Sequence, residues 1–383
     1  MRILFSATRG VGHLQPLLPY ARAFVARNHE VLVAAPASTD ETLRGAGLAH
    51  APFDHPGDET LGPIWARFRG LSDDEVVAIA AREIFAGVNA RVALPKLQAT
   101  IDDWRPHLVV RDSVEFAALV AAERAGVSHA RVAVHSVSFE EVFPPLVDAP
   151  IDALRALAGL PPDEGASLRA EAVFSSFPAS LDRVPAGSRM RAPFRARVVE
   201  DTPSSAPASW MPAGDERPLV YITFGTIVGT IDHARSVYRT ALDAVADLRV
   251  RALLTTGRGF DVGVLGEIPA NVHVSEWIPQ RDVLPHTAVL VCHGGSGTLL
   301  GGLAAGLPVV VVPVGADQPH NGRLVAAAGA GISLTKPDAS ALRAAIQTAL
   351  DAPALRDSAR RIADEIGAMP TIDAAIDELL GMR

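Results

Sequence analysis

Short apolar runs rich in β-branched residues alternate with longer amphipathic segments along the first half of the chain. The apolar runs predict β-strands at 2–6, 30–35, 108–111 and 130–134. The helical periodicity between them predicts helices at 13–27, 72–85, 90–104 and 115–125, and residues 139–197 are predicted to be helical in parts. This alternation is typical of a parallel sheet with helices on both faces.

The same alternation starts again after an interruption. Residues 202–218 are rich in Pro, Ser and Ala, a composition typical of a linker. Beyond them, strands are predicted at 219–224, 251–255, 272–275, 288–292 and 309–312, with helices at 234–246, 298–305, 339–350, 354–367 and 371–380. The sequence therefore predicts an α/β protein of two Rossmann-like, doubly wound domains facing each other across a cleft. The first covers 1–205 and the second 216–369.

Composition narrows the classes of function. The chain has 383 residues, of which 49% are apolar and 20% charged, as expected for globular domains. A net charge of −8 without a basic run argues against nucleic-acid binding. The single cysteine, Cys292, and the absence of a signal-like N-terminal run favour the cytoplasm. Glycine and proline cut the apolar stretch 287–316 into strand-sized pieces, so we expect no membrane insertion.

Two ionisable side chains follow predicted strands of the first domain. Ligands of open parallel sheets bind beyond the carboxyl ends of the strands, so these positions are candidates for chemistry. His13 opens a helix after a Gly-rich turn, and the positive helix end favours the neutral imidazole that a general base requires. Asp112 could accept the Nδ1 proton of His13 and leave Nε2 free. A capping or core histidine and a helix-capping aspartate are the structural alternatives.

The second domain carries a Gly-rich loop between a predicted strand and a predicted helix. Such a loop presents several backbone N–H groups to an anion, which suits a diphosphate in a protein of net negative charge. Thr226 follows another strand and is a further phosphate candidate, although a turn threonine is nearly as plausible. The loop residues are His293, Gly294, Gly295, Ser296, Gly297 and Thr298.

Two further strand ends of the second domain carry groups that suit a nucleotide sugar. Trp277, Ile278 and Gln280 follow one strand, where an indole can stack on a nucleobase and an amide can bind a base or ribose. Asp317 and Gln318 follow another strand, and their carboxylate and amide suit sugar hydroxyls. Taken alone, Trp277 would suggest a core residue, and the pair Asp317-Gln318 would suggest a surface turn.

Together these residues resemble the family 1 glycosyltransferases, which are inverting enzymes of the two-domain GT-B fold, and most closely the bacterial members that decorate natural products. The resemblance spans nearly the whole chain from Gly12-His13-x-x-Pro16 onwards, and the series from Trp277 to Gln318 is its most specific part. It implies a hexosyltransferase, of the kind used in antibiotic biosynthesis, that moves a sugar from a nucleoside-diphosphate sugar to a hydroxyl of a small aglycone. It also implies that the last helix, within 370–383, joins the first, acceptor-binding domain.

The resemblance assigns roles to the candidate residues. His13 is the base and Asp112 its partner, and the donor is held by the residues at the strand ends of the second domain. No metal or other cofactor is expected, because the helix end and His293 would do the work of a cation. Candidates for the acceptor pocket, each as plausible in the core, are Trp65, Phe68, Phe85, Phe139 and Phe143. The aglycone, the sugar, the attacked atom and the choice between monomer and homodimer stay open.

One position departs from the family pattern. Many relatives place a Glu three residues after the motif threonine Thr298, where it contacts both ribose hydroxyls, and this chain has Gly301 there. A 2′-deoxyribose would not need that carboxylate. The departure therefore favours a thymidine-diphosphate (dTDP) sugar over a uridine-diphosphate (UDP) sugar.

Four alternative functions can be compared by the sequence motifs that each one requires. A nicotinamide dehydrogenase is disfavoured because Gln15 stands where the third glycine of the fingerprint belongs. A serine hydrolase is disfavoured because the chain has no Gly-x-Ser-x-Gly elbow. A nucleotide-sugar epimerase of the same architecture stays open, as does a non-catalytic sugar-nucleotide-binding partner of another enzyme. The presence of both His13 and Asp112 argues weakly against the non-catalytic alternative.

Overall fold

Two separate parallel sheets organise the chain. The computed structural model describes residues 1–198, 215–226, 228–230 and 236–382, and most of the predicted linker at 202–218 lies outside these residues. The first unit contains Met1–Ser176, Arg183–Val198 and the C-terminal residues from Pro370. The second contains Phe177–Asp182 and the described residues between 215 and 369.

The first unit has seven parallel strands in the order β3-β2-β1-β4-β5-β6-β7. The C-terminal helix α17 (Ile372–Gly381) packs on α2 (Leu18–Ala26), and Arg27 at the end of α2 forms ion pairs with Asp373 and Asp377. The strands are β1 Arg2–Ser6, β2 Glu30–Pro36, β3 Ala49–Phe53, β4 Leu108–Asp112, β5 His129–Val132, β6 Ala172–Ser175 and β7 Phe194–Arg195. The helices are α1 Val11–Leu14, α2 Leu18–Ala26, α3 Asp40–Gly45, α4 Asp58–Ala66, α5 Asp73–Ile79, α6 Ala90–Trp104, α7 Phe116–Ala125, α8 Val137–Glu140, α9 Pro144–Leu157, α10 Ala166–Ala170 and α17 Ile372–Gly381.

The second unit has six parallel strands in the order β10-β9-β8-β11-β12-β13. Its strands are β8 Leu219–Thr223, β9 Arg251–Thr255, β10 Val272–Ser275, β11 Thr287–Cys292, β12 Val309–Val311 and β13 Gly331–Ser333. Its helices are α11 Ser236–Val245, α12 Gln280–Val283, α13 Ser296–Ala304, α14 Gln318–Ala327, α15 Ala339–Asp351 and α16 Pro353–Ala368. The α/β class with two Rossmann-like parallel sheets is therefore confirmed.

Each sheet is buried on both faces, which explains the continuous apolar strands. In β1, Ile3 and Phe5 pack in one core cluster and Leu4 packs in the cluster on the opposite face. In β11, Leu290 and Val291 divide between two clusters in the same way. Because successive side chains of a strand point to opposite faces, a sheet covered by helices on both sides needs apolar residues at every position.

Both sheets reverse their strand order at one point. In the first unit the reversal lies between β1 and β4, and in the second between β8 and β11. The loops after these neighbouring strands diverge to opposite faces and leave a crevice, which is where open parallel sheets bind ligands. Within the first unit, the topology therefore brings together the residues that follow β1 and β4. Within the second unit, it brings together those that follow β8 and β11.

The sequence missed four strands, namely β3, β6, β7 and β13. Three of them are edge strands, and edge strands are short and carry a weak apolar signal. Pro52 lies within β3, where it is tolerated because one side of an edge strand needs no donor. The interior strand β6 has only four residues, and it lies in the segment 139–197 that was predicted only as helical in parts.

The helix predicted at 72–85 is divided in the structure. Its first part is α5, which begins with a capping box between Ser72 and Glu75. Its second part continues as a π-helix, Ala80–Asn89, that contains a non-helical residue at Gly87. π-Helical segments are frequent at functional sites, and Phe85 on this one lies 5.6 Å from the imidazole of His13 between ring centroids. No helix in the described part of the chain combines the length and apolarity needed to span a bilayer.

Candidate active site

The candidate base lies at the turn between β1 and the first helix. Gly10 precedes α1 with a φ of 132°, a conformation that residues with a side chain rarely adopt. A Cβ on Gly10 would lie 3.0 Å from Cδ2 of His13, so glycine also makes room for the imidazole. The His13 side chain is 18% exposed. The ring is therefore packed within the turn yet still reachable by a small ligand.

Asp112 ends β4, the strand beside β1, and its buried carboxylate lies against the imidazole. The distance between Nδ1 of His13 and Oδ1 of Asp112 is 3.6 Å, which suits an ion pair but exceeds a hydrogen bond. The N–H groups of Thr8 and Val114 each donate to this carboxylate at 2.7 Å. Burial alone would raise the pKa of Asp112, but the charge of His13 and these N–H donors lower it below its usual value. The structure thus brings together an imidazole and a carboxylate that favours its ionised form.

Helix capping after β4 falls to Glu115 and not to Asp112. The Glu115 side chain accepts the N–H groups of Ala117 and Ala118 at the start of α7. Its other partner is the hydroxyl of Ser6, which donates to Oε2 at 2.8 Å. Burial, together with the neighbouring charge of Asp112, raises the pKa of Glu115 to about 7. The capping alternative for Asp112 is therefore wrong for α7, although Asp112 does order the turn before it.

Aromatic rings surround His13, and three of the five acceptor candidates are among the residues gathered here. The Phe85 ring, on the π-helix, lies 5.6 Å from the imidazole of His13 between centroids. The His135 ring lies 6.3 Å from that of His13 and contacts the rings of Phe139 and Phe143 at 5.3 and 5.7 Å, all measured between centroids. These rings form a mainly apolar wall next to the candidate base.

The other two acceptor candidates form a pair of their own. Trp65, on α4, meets Phe68 edge-on with centroids 5.0 Å apart, and Trp65 is 48% exposed. The helix α4 packs on the π-helix that carries Phe85. Trp65 and Phe68 are thus connected to the candidate base only through an intervening element.

His135 was missed by the sequence reasoning. The signal was present, because His135 comes directly after the predicted strand 130–134 and so satisfies the same strand-end rule that identified His13. What the sequence did not reveal is its partner, since Glu140 lies on α8 with its Oε1 3.7 Å from Nδ1 of His135.

The Gly-rich loop of the second unit joins β11 to α13. Gly294 has a φ of 91°, and a Cβ there would lie 2.7 Å from the side chain of Val311, so only glycine fits. The helix begins at Ser296 without a side-chain cap. The N–H groups of Ser296, Gly297 and Thr298 have no acceptor within the helix and point from its positive end, as an anion-binding site requires.

The ring of His293 lies close to two glycines, Gly225 and Gly295. A Cβ on Gly225 would lie 2.9 Å from its Nε2, and a Cβ on Gly295 would lie 2.4 Å from the same atom. Burial lowers the pKa of His293 to about 4, even though Asp317 and the Thr223 backbone favour protonation. The lowered pKa favours the neutral form of His293, which can offer an N–H dipole to an anion.

Asp317 is the centre of a buried polar group. Its Oδ2 accepts the Ser296 hydroxyl at 3.1 Å and the Asn321 amide at 2.7 Å, and Asn321 also donates to the Gly294 carbonyl at 2.9 Å. The oxygen of Gln318 accepts the backbone N–H groups of residues 314 and 315. These bonds fix the loop, and among the described residues they engage neither Oδ1 of Asp317 nor the Gln318 NH₂ group. Asn321 was missed because an amide one turn into α14 has no distinctive spacing in the sequence.

Trp277 and Ile278 point in different directions after β10. Trp277 is 49% exposed, and the Arg258 guanidinium lies 5.1 Å from its ring centroid. Ile278 packs on the core of the second unit, so its side chain is committed there. The indole is therefore available for stacking on a base, and Arg258 is a neighbour that the sequence did not predict.

Gln280 lies beside the middle of α13. Its NH₂ group donates to the hydroxyl of Thr298 at 3.0 Å. A Cβ on Gly301 would lie 3.2 Å from Oε1 of Gln280, so the position that lacks the family glutamate adjoins this amide. Thr226 is exposed in the turn after β8 and lies close to Gly257. The structure thus groups all the donor candidates at the carboxyl ends of β8, β10, β11 and β12.

The N-terminal and C-terminal parts of the chain match the two domains of one protein family. Residues 22–225 match the family described as erythromycin biosynthesis protein CIII-like, N-terminal domain, and residues 239–382 match its C-terminal domain. The L-demethylnoviosyl transferase of Streptomyces niveus is 32% identical over 97% of this chain and 95% of its own length. The elloramycin glycosyltransferase ElmGT of Streptomyces olivaceus is 30% identical over 97% and 94%.

Solved structures agree with this result. The spinosyn rhamnosyltransferase SpnG has a TM-score of 0.82 at 26% identity, with 99% of this chain and 100% of that chain covered. The glycosyltransferase SnogD from Streptomyces nogalater has a TM-score of 0.79 at 26% identity, with 100% and 99% covered. Neither the epimerase nor the non-catalytic alternative is favoured by these relatives. The chain belongs to the erythromycin biosynthesis protein CIII-like family and is a bacterial natural-product glycosyltransferase of family 1 type.

Proposed function

We propose that this glycosyltransferase moves a sugar from a dTDP-sugar to a hydroxyl of a small natural-product aglycone, with His13 as general base. The observation that carries the proposal is the pairing of His13 with the buried carboxylate of Asp112 where the strand order reverses. The presence of apolar rings beside His13 supports an apolar acceptor. The relative SpnG has been solved complexed with spinosyn aglycone, which supports an aglycone as the acceptor class.

The proposed step is a single displacement at the anomeric carbon. Nε2 of His13 takes the proton of the acceptor hydroxyl as the new O–C bond forms, and the bond from that carbon to the diphosphate oxygen breaks. Asp112 stabilises the resulting imidazolium, and a general base of this kind contributes roughly 10²–10⁴-fold. Attack from the face opposite the diphosphate inverts the anomeric centre.

The leaving diphosphate gains negative charge as its bond breaks. The N–H groups at the start of α13 and the neutral side chain of His293 are placed to donate to it, because electrostatic stabilisation works best with donors fixed in advance. Asp317 and Gln318 would hold the sugar hydroxyls. We further propose that no metal is required, so that activity persists in EDTA.

The preference for a dTDP-sugar rests on Gly301. With Gln280 next to it and no carboxylate at that position, the site lacks the acceptor that would bind both hydroxyls of a ribose. A UDP-sugar would leave its extra hydroxyl less well satisfied than a dTDP-sugar. Competition between thymidine and uridine diphosphates by calorimetry tests this directly, and clear uridine preference would end the idea.

The test of the base assignment is His13→Ala. Transfer from dTDP-glucose to a panel of aglycones, followed by mass spectrometry, should be abolished, whereas thymidine diphosphate still binds. His107→Ala is a matched control, because His107 accepts the Arg2 N–H at the opposite end of the same sheet and should keep full activity. Full activity in His13→Ala would refute the assignment. Sugar conversion without any acceptor would favour an epimerase, and donor binding without turnover in the wild type would favour a non-catalytic partner.

A further inference from the structure

The two halves of the candidate donor site are separate in the chain but touch in the fold. The loop from His293 to Thr298 (the diphosphate loop) follows β11, whereas Asp317 and Gln318 follow β12, with the rest of α13 between them. A Cβ on Gly294 would lie 3.2 Å from the carbonyl oxygen of Gln318, so the two backbones approach each other closely. The position of one half relative to the other is therefore set by contacts in this region.

Asn321 connects the two halves. It lies on α14, is fully buried, and donates its amide hydrogens to the Gly294 carbonyl at 2.9 Å and to Oδ2 of Asp317 at 2.7 Å. Ser296 completes the group, because its hydroxyl also donates to Oδ2 of Asp317 and lies 3.4 Å from the same amide nitrogen. Carbonyl and carboxylate oxygens can only accept, so the amide must turn its NH₂ group towards both halves of the site.

The other end of this amide forms no comparable contacts. Oδ1 of Asn321 is buried and has no hydrogen-bond partner within the part of the chain that the structure describes. A buried polar atom without a partner costs free energy, so the protein tolerates a penalty at this side chain. Every hydrogen bond that the Asn321 side chain does form goes to the diphosphate loop or to Asp317. The residue thus serves the donor site and not the remaining core of the unit.

We propose that Asn321 is a positioning residue that holds the Asp317 carboxylate against the diphosphate loop, so that recognition of the donor sugar depends on a side chain that does not touch the sugar. With Oδ2 fixed by Asn321 and Ser296, Asp317 keeps one orientation for binding a sugar hydroxyl. A binding group that is fixed in advance loses little freedom when the ligand arrives, and loss of its support weakens binding. This inference deepens the proposed function and rests on its assignment of Asp317 to the donor sugar.

The test compares thymidine diphosphate and dTDP-glucose by calorimetry with the intact enzyme. The dissociation constant of thymidine diphosphate divided by that of dTDP-glucose, here the sugar ratio, measures what the glucose contributes to binding. Asn321→Leu keeps the branched shape and removes the donors, and it should lower the sugar ratio about 5- to 30-fold relative to the wild type. This loss is smaller than that of a direct hydrogen bond to a charged group, because Asp317 itself remains.

Two further variants show whether Asn321 acts through Asp317. Asn321→Asp keeps the shape of the side chain but places a second carboxylate beside Asp317, so it should lower the sugar ratio at least as much, and it replaces the leucine variant if that protein does not fold. Asp317→Ala should lower the sugar ratio by itself. Adding Asn321→Leu to Asp317→Ala should lower it no further, because the group to be positioned is gone. Fully additive losses would overturn the proposal.

A matched control lies at the opposite end of the same sheet. Asn271 precedes β10 and donates from Nδ2 to the Val245 carbonyl at 2.9 Å, while its Oδ1 too is buried without a partner among the described residues. Asn271→Leu removes a similar amide from the same unit and should lower Tm, yet it should keep the sugar ratio of the wild type. An equal fall of the ratio in Asn271→Leu would indicate a general loss of packing and overturn the proposal.

The outcomes separate this inference from the proposed function. If Asp317→Ala lowers the sugar ratio while Asn321→Leu and Asn321→Asp leave it unchanged, the inference alone fails. If Asp317→Ala keeps the ratio of the wild type, the assignment of Asp317 to the sugar fails and the inference fails with it. Failure of the wild type to bind either nucleotide would overturn the proposed function as a whole. These measurements need no turnover, so they are independent of the base assignment to His13.

Discussion

Gly225→Ala should destabilise the fold and disturb the donor loop, because the added methyl group meets the ring of His293. Gly225 follows β8 with a φ of 78°, and its missing Cβ would lie 2.9 Å from both Cε1 and Nε2 of His293. The ring also lies close to Gly295, where a Cβ would lie 2.4 Å from Nε2. One added methyl group must therefore strain the backbone and displace the imidazole at the start of the donor loop.

A control variant separates the cost of backbone strain from the cost of overpacking against His293. A left-handed conformation costs a residue with a side chain about 1–2 kcal/mol, and overpacking of a close-packed site costs about 1–3 kcal/mol more. Gly225→Ala should then lose about 2–5 kcal/mol of unfolding free energy. Gly329→Ala has a φ of 67° and meets only the Ser358 hydroxyl oxygen at 3.4 Å, so it should lose about 1–2 kcal/mol from strain alone.

Urea denaturation measures these free energies, and calorimetry with thymidine diphosphate measures the consequence for the donor site. If His293 donates to the diphosphate as proposed, Gly225→Ala should weaken nucleotide binding at least about tenfold, which corresponds to about 1.4 kcal/mol, because the displaced imidazole loses that contact. Gly329→Ala should bind as the wild type does. Equal destabilisation of the two variants together with unchanged affinity would refute the packing argument and the assignment of His293.

Three further predictions concern groups around the two sites. Asp112→Asn should lower kcat by roughly 10²–10⁴-fold in a transfer assay while thymidine diphosphate affinity stays the same; unchanged kcat would exclude it as the partner of His13. Burial raises the pKa of Glu115 to about 7, so this carboxyl group binds its proton more tightly in the folded than in the unfolded chain. Its contribution to the free energy of unfolding therefore falls as the pH rises from about 4.5 through 7. Urea titrations at pH 5 and 8 should show that Glu115→Gln removes roughly 3 kcal/mol of that decline, and parallel pH curves would contradict the buried acid. Arg258→Ala should weaken thymidine diphosphate binding about 2- to 5-fold by calorimetry, as loss of one exposed cation–π contact implies; tighter binding would show instead that Arg258 occupies the face the base needs.

The sequence by itself determined the parts of this protein that depend on local pattern. Apolar runs of strand length separated by helical periodicity are read one segment at a time, and they predicted both parallel sheets. Residues at strand ends are equally local, so His13, Asp112 and the loop from His293 to Thr298 could be selected before any contact was known. Glycines at positions of positive φ, such as Gly294, reinforced that selection because few other residues adopt such turns.

Only the tertiary structure decided which of these groups meet and in what state. The reversal of strand order places Asp112 against His13, and β5 brings His135 and Glu140 to the same place from residues 23 and 28 positions beyond Asp112. Burial lowers the pKa of His293 and raises that of Glu115, and neither effect is visible in the local sequence. Contacts between distant segments and the loss of hydration on burial are properties of the folded chain, whereas a sequence pattern shows only what each segment tends to form alone.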